Sequence, residues 1–289
     1  MTAVAETNES RADGTGGPAR PRQLILSVYG LYGRSGGGWL PVAALIRLLA
    51  EAGVDEPAVR SAISRLKRRG ILQARRRGGS AGYRLSAEAL AILRDGDTRI
   101  FRRQRAALAD GWLLAVFSVP ESRRHLRHVL RSELARLGFG MVAPGVWIVP
   151  AHPHDTTAQT LRRLGLDAYA DLFHADHLAF GDPAAKVRRW WDLGLLESRY
   201  QDFVAVHEPV LRRWHGRGSA PGEPDGRQAF ADYVRAVTDW RQLPYLDPGL
   251  PAELLPPGWI GLRAGEDFFA LRSLLEEPAR AHAARVIAG

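Results

Sequence analysis

The sequence predicts an α+β fold built in three parts, and three observations predict it. Between residues 22 and 86, short amphipathic helical segments lead into a hairpin pattern whose middle is rich in arginine. Between 111 and 182, the apolar runs follow the order strand, helix, hairpin, helix, strand. From Pro183 onward, the periodicity turns helical and ends in a proline-rich stretch. The balance of apolar and charged residues, 46% and 25%, is ordinary for a globular chain able to build real cores.

Residues 1–19, rich in Gly, Thr, Ala and Glu, read as a disordered tail. The apolar run Leu24–Tyr29 starts the first helix, and Gly36–Gly38 a loop. Trp39-Leu40 reads as a short strand, after which Pro41 opens a helix with Val42, Leu45, Ile46 and Leu49 on one face. Gly53 sits where a glycine ends a helix. Asp55 suits an N-cap and Pro57 a first helical turn, so a further helix spans Ala58 to Arg69. Its residues Val59, Ile63 and Leu66 point inward, while Arg60, Ser61, Ser64 and Arg68 point the other way. Ile71–Ala74 and Tyr83–Leu85 read as strands, with Arg75-Arg76-Arg77 and a glycine-rich turn between them. In order, these elements make a winged helix-turn-helix over residues 20–86.

Residues 87–110 read as a connecting helix, broken at Asp110-Gly111. Trp112–Val119 is a buried strand, Arg123–Leu137 a basic helix, and Phe139–Val142 and Val146–Val149 a hairpin. Thr156–Leu164 is a helix and Ala175–Phe180 the last strand, which gives a ferredoxin-like domain over 111–182. Residues 183–289 form a mostly helical region. It carries a linker at 216–226 and a last helix near Ala264–Leu275.

The charge is unevenly placed. Residues 18–110 hold 18 Lys and Arg against seven Asp and Glu, whereas residues 111–289 hold 21 of each. A local basic excess is the electrostatic footprint expected for phosphate backbones, although arginines on an exposed helix are more often simply solvated. Helix, hairpin and regional charge agree here, which favours double-stranded DNA. The candidate contacts are Arg60, Ser61, Ser64, Arg65, Lys67 and Arg68 on the helix and Arg75, Arg76 and Arg77 in the hairpin.

The absence of cysteine excludes disulfide scaffolds, cysteine zinc sites and thiol nucleophiles. The longest uncharged stretch, Leu137–His154, is interrupted by glycine and proline, so no membrane span is expected. The first twenty residues lack an apolar signal segment, which suggests a cytoplasmic protein. There is no phosphate-loop motif and no nucleophile-elbow motif. His152-Pro153-His154 and His174-Ala175-Asp176-His177 are too few and too close to strand ends for a metal site to be expected. Neither a catalytic residue nor a cofactor is expected.

Three sets of residues together carry a family resemblance. The first is Leu45–Gly53 through Val59–Leu66, with Gly70-Ile71-Leu72 and Tyr83-Arg84-Leu85. The second is Phe117–Glu121, Leu137–Gly140 and Pro144–Trp147; the third is Asp239-Trp240-Arg241, Asp247–Pro251, Leu254-Leu255-Pro256 and Trp259. In this order they resemble the PaaX family of bacterial transcriptional regulators, and the chain departs from that pattern in an insertion-like Gly265-Glu266-Asp267. The resemblance implies a homodimeric repressor of an aromatic-acid (phenylacetate-type) operon, released by an aryl-acyl-CoA effector such as phenylacetyl-CoA. Such a ligand needs arginines beside aromatic rings. Arg123, Arg124, Arg127, Arg188, Arg189, Trp190, Trp191, Arg199, Arg213 and Trp214 are candidates, although core packing is the commoner role for any one tryptophan. The central region also resembles, in outline, small CRISPR-adaptation endonucleases. Those carry an aspartate at the end of the first strand, where this chain has Phe117-Ser118-Val119-Pro120. The competing class is an effector-binding or scaffold protein whose winged helix mediates protein–protein contacts.

Overall fold

The computed structural model describes residues 21–102, 105–151, 154–178, 180–216 and 226–289. The expected tail at 1–19, most of the linker at 216–226, and His152 lie outside the described residues. The chain is α+β and divides into two compact units. The first takes the chain through Phe101 together with Asp202–Arg241 and Arg263–Gly289, and the second takes Arg102–Gln201 and Gln242–Leu262.

In the first unit, α1 (Pro21–Val28) runs into a wider turn at Tyr29–Gly33. A three-stranded antiparallel sheet, ordered β1-β3-β2, comprises β1 (Trp39–Pro41), β2 (Leu72–Arg77) and β3 (Ser80–Leu85). Between β1 and β2 lie α2 (Val42–Glu51) and α3 (Glu56–Arg68). The buried side of α2 is Ala44, Leu45, Leu48 and Leu49, so Val42 and Ile46 sit at its margin rather than at its centre. Asp55 caps α3 as its position suggested, accepting a 2.7 Å bond from the Ala58 amide.

The hairpin differs from the expectation in one useful way. Gly78 and Gly79 alone make the turn, with φ of +55° and +80°. Two successive left-handed residues give a tight turn whose twist matches the strands. Arg75, Arg76 and Arg77 therefore stand on β2, not in a loop.

Helix α4 (Ala87–Phe101) is shorter than the expected connecting helix. The remaining helices of this unit are most of α8 (Leu193–His215), all of α9 (Gly226–Trp240) and most of α11 (Ile260–Ala288). Helix α9 is the core, with Phe230, Tyr233, Val234, Val237 and Trp240 buried and the Thr238 and Ser27 hydroxyls 2.8 Å apart. Trp240 stacks on Phe268 at 4.6 Å. Helix α11 runs well past the expected end at Leu275 and through Pro278, because Ala279 and Ala283 beyond it are fully buried.

In the second unit, β4 (Trp112–Phe117), β5 (Gly140–Ala143), β6 (Val146–Pro150) and β7 (Ala170–Ala175) form an antiparallel sheet ordered β5-β6-β4-β7. Helices α5 (Arg124–Arg136) and α6 (His154–Arg163) share one core with it, through Leu130, Leu134 and Leu161 against Leu113, Ala115, Trp147 and Val149. Helix α7 (Pro183–Trp190) and the short α10 (Leu243–Leu246) belong to this unit as well. The last strand is a correction, since it covers 170–175 and not 175–180. Six residues of β7 pair along the whole of β4, from Phe117 with Ala170 to Trp112 with Ala175. The apolar residues that suggested the later strand, Leu178 and Phe180, are each 91% exposed, and Phe180 has φ +70°.

Candidate nucleic-acid interface

Helix α3 separates its residues cleanly. Val59, Ala62, Ile63 and Leu66 are buried, while Arg60, Ser61, Ser64, Arg65, Lys67 and Arg68 are all exposed. The exposed side is already ordered. Arg60 Nε donates to Glu56 at 2.7 Å, and Arg65 Nη2 donates to Ser61 Oγ at 3.0 Å. An exposed i, i+4 pair contributes little, about 0–1 kcal/mol, so Arg60 exchanges Glu56 for another acceptor at small cost.

The hairpin is held from behind. Arg76 Nη2 donates to Gly79 O across the turn at 2.9 Å, and Arg77 Nη1 donates to Gly36 O at 3.2 Å. Trp39 Nε1 donates to Arg75 O at 3.1 Å. Its ring lies over Gly82, where a Cβ would come within 2.7 Å of the indole and 2.4 Å of Leu40 O, so only glycine fits there. Strand alternation places Gln73, Arg75 and Arg77 on one side, with Arg84 directly opposite Gln73. Sequence reasoning missed Arg84. It is exposed and bonds to Gly37 O at 3.1 Å, and the alternation in Tyr83-Arg84-Leu85 already pointed it outward.

The arrangement offers a helix face with short polar and guanidinium side chains beside a strand of consecutive arginines. A helix of this kind suits a major groove, and a basic hairpin suits phosphates. In the N-terminal part of this unit, burial pushes the Tyr29 and Tyr32 phenols far up.

The residues suggested for an effector do not gather in one place. In the second unit, Arg123 bonds to the Tyr169 hydroxyl, and Arg127 Nη2 donates to Val119 O at 2.8 Å. They stand near a cleft of about 310 Å³ lined by Phe117, Ser118, Asp167, Tyr169 and Asp171. Its two carboxylates do not suit a polyanion. Trp190 and Trp191 pack on Trp112 at 6.1 and 6.2 Å, and Trp191 Nε1 donates to Gly138 O at 2.9 Å. Trp191 also lies over Gly140, where a Cβ would stand 2.6 Å from its ring. Arg124, Arg188 and Arg189 are exposed and Arg199 is half-buried. Arg213 and Trp214 belong to the first unit and both donate to the buried Asp232 carboxylate, at 2.7 and 2.8 Å.

His174 and His177 are engaged elsewhere. His174 Nε2 lies 3.0 Å from Asp110 O and His177 Nε2 lies 2.9 Å from Lys186 Nζ. Among the described residues no group of three or more His, Asp or Glu is arranged to hold a metal. No described helix is long and apolar enough to cross a membrane.

Comparison with known proteins covers the same ground. Residues 20–89 match the PaaX-like protein family, 105–187 the PaaX protein central Cas2-like domain, and 191–285 the PaaX-like protein C-terminal domain. The transcriptional repressor PaaX of Escherichia coli is 30% identical over 249 residues, which is 84% of this chain and 77% of that protein. Among solved structures, the uncharacterized protein Rv0674 from Mycobacterium tuberculosis aligns with a TM-score of 0.49 at 24% identity, over 88% of this chain and 99% of that one. With three consecutive domain matches in order and a relative 30% identical over 84% of this chain's length, the chain belongs to the PaaX family.

Proposed function

We propose that this protein is a DNA-binding transcriptional repressor that reads its operator with α3 and grips the backbone with the β2–β3 hairpin. The observation that carries the reading is the exposed face of α3 beside three consecutive arginines on β2. Residues 20–86 act as a winged helix-turn-helix, a reading supported by the helix order and the β1-β3-β2 sheet. Residues 111–182 act as a ferredoxin-like domain, supported by the β5-β6-β4-β7 order. Residues 87–110 connect them, and 183–289 serve effector binding and dimerisation. The protein works in the cytoplasm as a homodimer on two half-sites about 34 Å apart or a multiple of it, since one such module reads only a short site.

The family resemblance supports an aromatic-acid operon and release by an aryl-acyl-CoA such as phenylacetyl-CoA. A thioester that binds the DNA-incompetent form tenfold better shifts the equilibrium by about 1.4 kcal/mol. The test is a mobility shift on the DNA upstream of the protein's own gene, with and without phenylacetyl-CoA. Binding, and release by the thioester but not by free coenzyme A or the free acid, is expected. A protein that ignores this DNA while binding another protein through the same face would favour the scaffold reading.

A further inference from the structure

The α2–α3 turn is held from the far end of the sequence. Arg235, on α9, donates from Nη2 and Nε to the Ala52 carbonyl, at 3.0 and 3.3 Å. Ala52 closes α2, so this guanidinium satisfies a carbonyl that has no partner within the helix and sits at the helix's negative end. The next residue, Gly53, has φ +78°, and a Cβ there would stand 2.7 Å from Arg235 Nη2. Glycine at 53 thus meets two demands, a left-handed turn and room for Arg235.

Two further contacts bracket the same helix end. Glu51, the last residue of α2, lies 2.8 Å from Nε2 of His282 on α11, with both side chains 15% exposed. Arg47 Nη2 donates to Val286 O at 2.7 Å. Only Gly53 and Val54 then separate Ala52 from Asp55, the cap of α3. The placement of α3 is therefore fixed at its start by side chains from α9 and α11, about 180 and 230 residues away.

We propose that Arg235, seconded by the Glu51–His282 pair, is a positioning residue for sequence discrimination. It sets where α3 stands relative to the hairpin without touching DNA, and it hands any movement of α9 or α11 to the reading helix. The inference rests on the DNA-binding reading above. Base contacts demand placement to within about 0.5 Å, whereas flexible arginines reach phosphates from a range of positions. Loosening the turn should therefore weaken operator binding and spare general affinity. Arginine suits the task because its planar fork delivers two N–H groups to one carbonyl, which a single ammonium does not do.

The test uses the full chain. Duplexes selected from a random library by the wild-type protein are compared with a scrambled duplex of equal length, at one salt concentration. R235M and H282L are each expected to lower the ratio of selected to scrambled affinity, R235M by about tenfold, the worth of one base contact. The salt slope on the scrambled duplex should stay unchanged, and R235K should recover part of the ratio. Equal losses on both duplexes, or an unchanged ratio in a folded R235M, would overturn the proposal. An R235M chain that does not fold would also overturn it, by making Arg235 a core residue. A wild-type chain that selects no sequence would remove the DNA-binding reading itself, a distinguishable failure.

Discussion

Arg60 and Arg76 carry the same charge but occupy different surfaces. Arg60 stands on the outward side of α3, bonded to Glu56, and Arg76 bonds across the hairpin turn to Gly79 O. Arg60→Ala should therefore cost about 1–3 kcal/mol on the operator and relax specificity, while Arg76→Ala should weaken all sequences about equally. Gel shifts on operator and scrambled duplexes check this, and an unchanged operator affinity for Arg60→Ala would remove α3 from the groove. Asp267 makes a different residue-scale prediction. Burial, offset by Arg263 and reinforced by Glu208 and Glu266, raises its carboxyl above the usual range, and its Oδ2 is buried without a hydrogen bond. A raised folded pKa favours the protonated form, so the ionised group is a liability that grows as pH rises through that pKa. Asp267→Asn should raise the melting midpoint at pH 7, with the gain vanishing toward acid pH; a gain equal at both pH values would contradict this.

Elements were legible where local chemistry dictates them. The Asp55 cap, the ends at Gly53 and Gly70, and the inward stripe of α3 follow from residue type and spacing. The hairpin glycines read as a turn, but which pair makes it depends on the register of β2 and β3, and that register puts the arginines on the strand and not in the loop. The strand at 170–175 is not distinguished by composition, because 175–180 holds the same residues, two Ala and one each of Asp, His, Leu and Phe, and β7 is an edge strand with mixed exposure. Helix α11 continues beyond the expected end at Leu275 and through Pro278, whose cost is offset by burial that sequence alone does not reveal. The candidate site was legible as outward charges, except Arg84; the bracing from Arg235 and His282 was not, because it joins residues far apart in sequence. The burial of α9 has a direct consequence. A fragment spanning residues 21–101 lacks the helix that packs on α1 and α2, and should show no cooperative melting transition by circular dichroism. A sharp transition in that fragment would mean that α9 is dispensable to the fold of residues 21–101.

At the scale of the whole molecule, the proposed function assigns the attraction to DNA to the basic excess of the N-terminal third. Arginines that meet phosphates release counterions, so the logarithm of the binding constant should fall linearly with the logarithm of salt concentration, by about 0.9 per phosphate contact. Recognition through α3 adds a second requirement, that the selected operator stay better bound than a scrambled duplex along the whole series. The most direct measurement is a salt titration of binding to both duplexes by the full-length protein. The account predicts two parallel, steeply falling lines separated by a constant factor. A flat line between low and moderate salt, or lines that coincide, would contradict it.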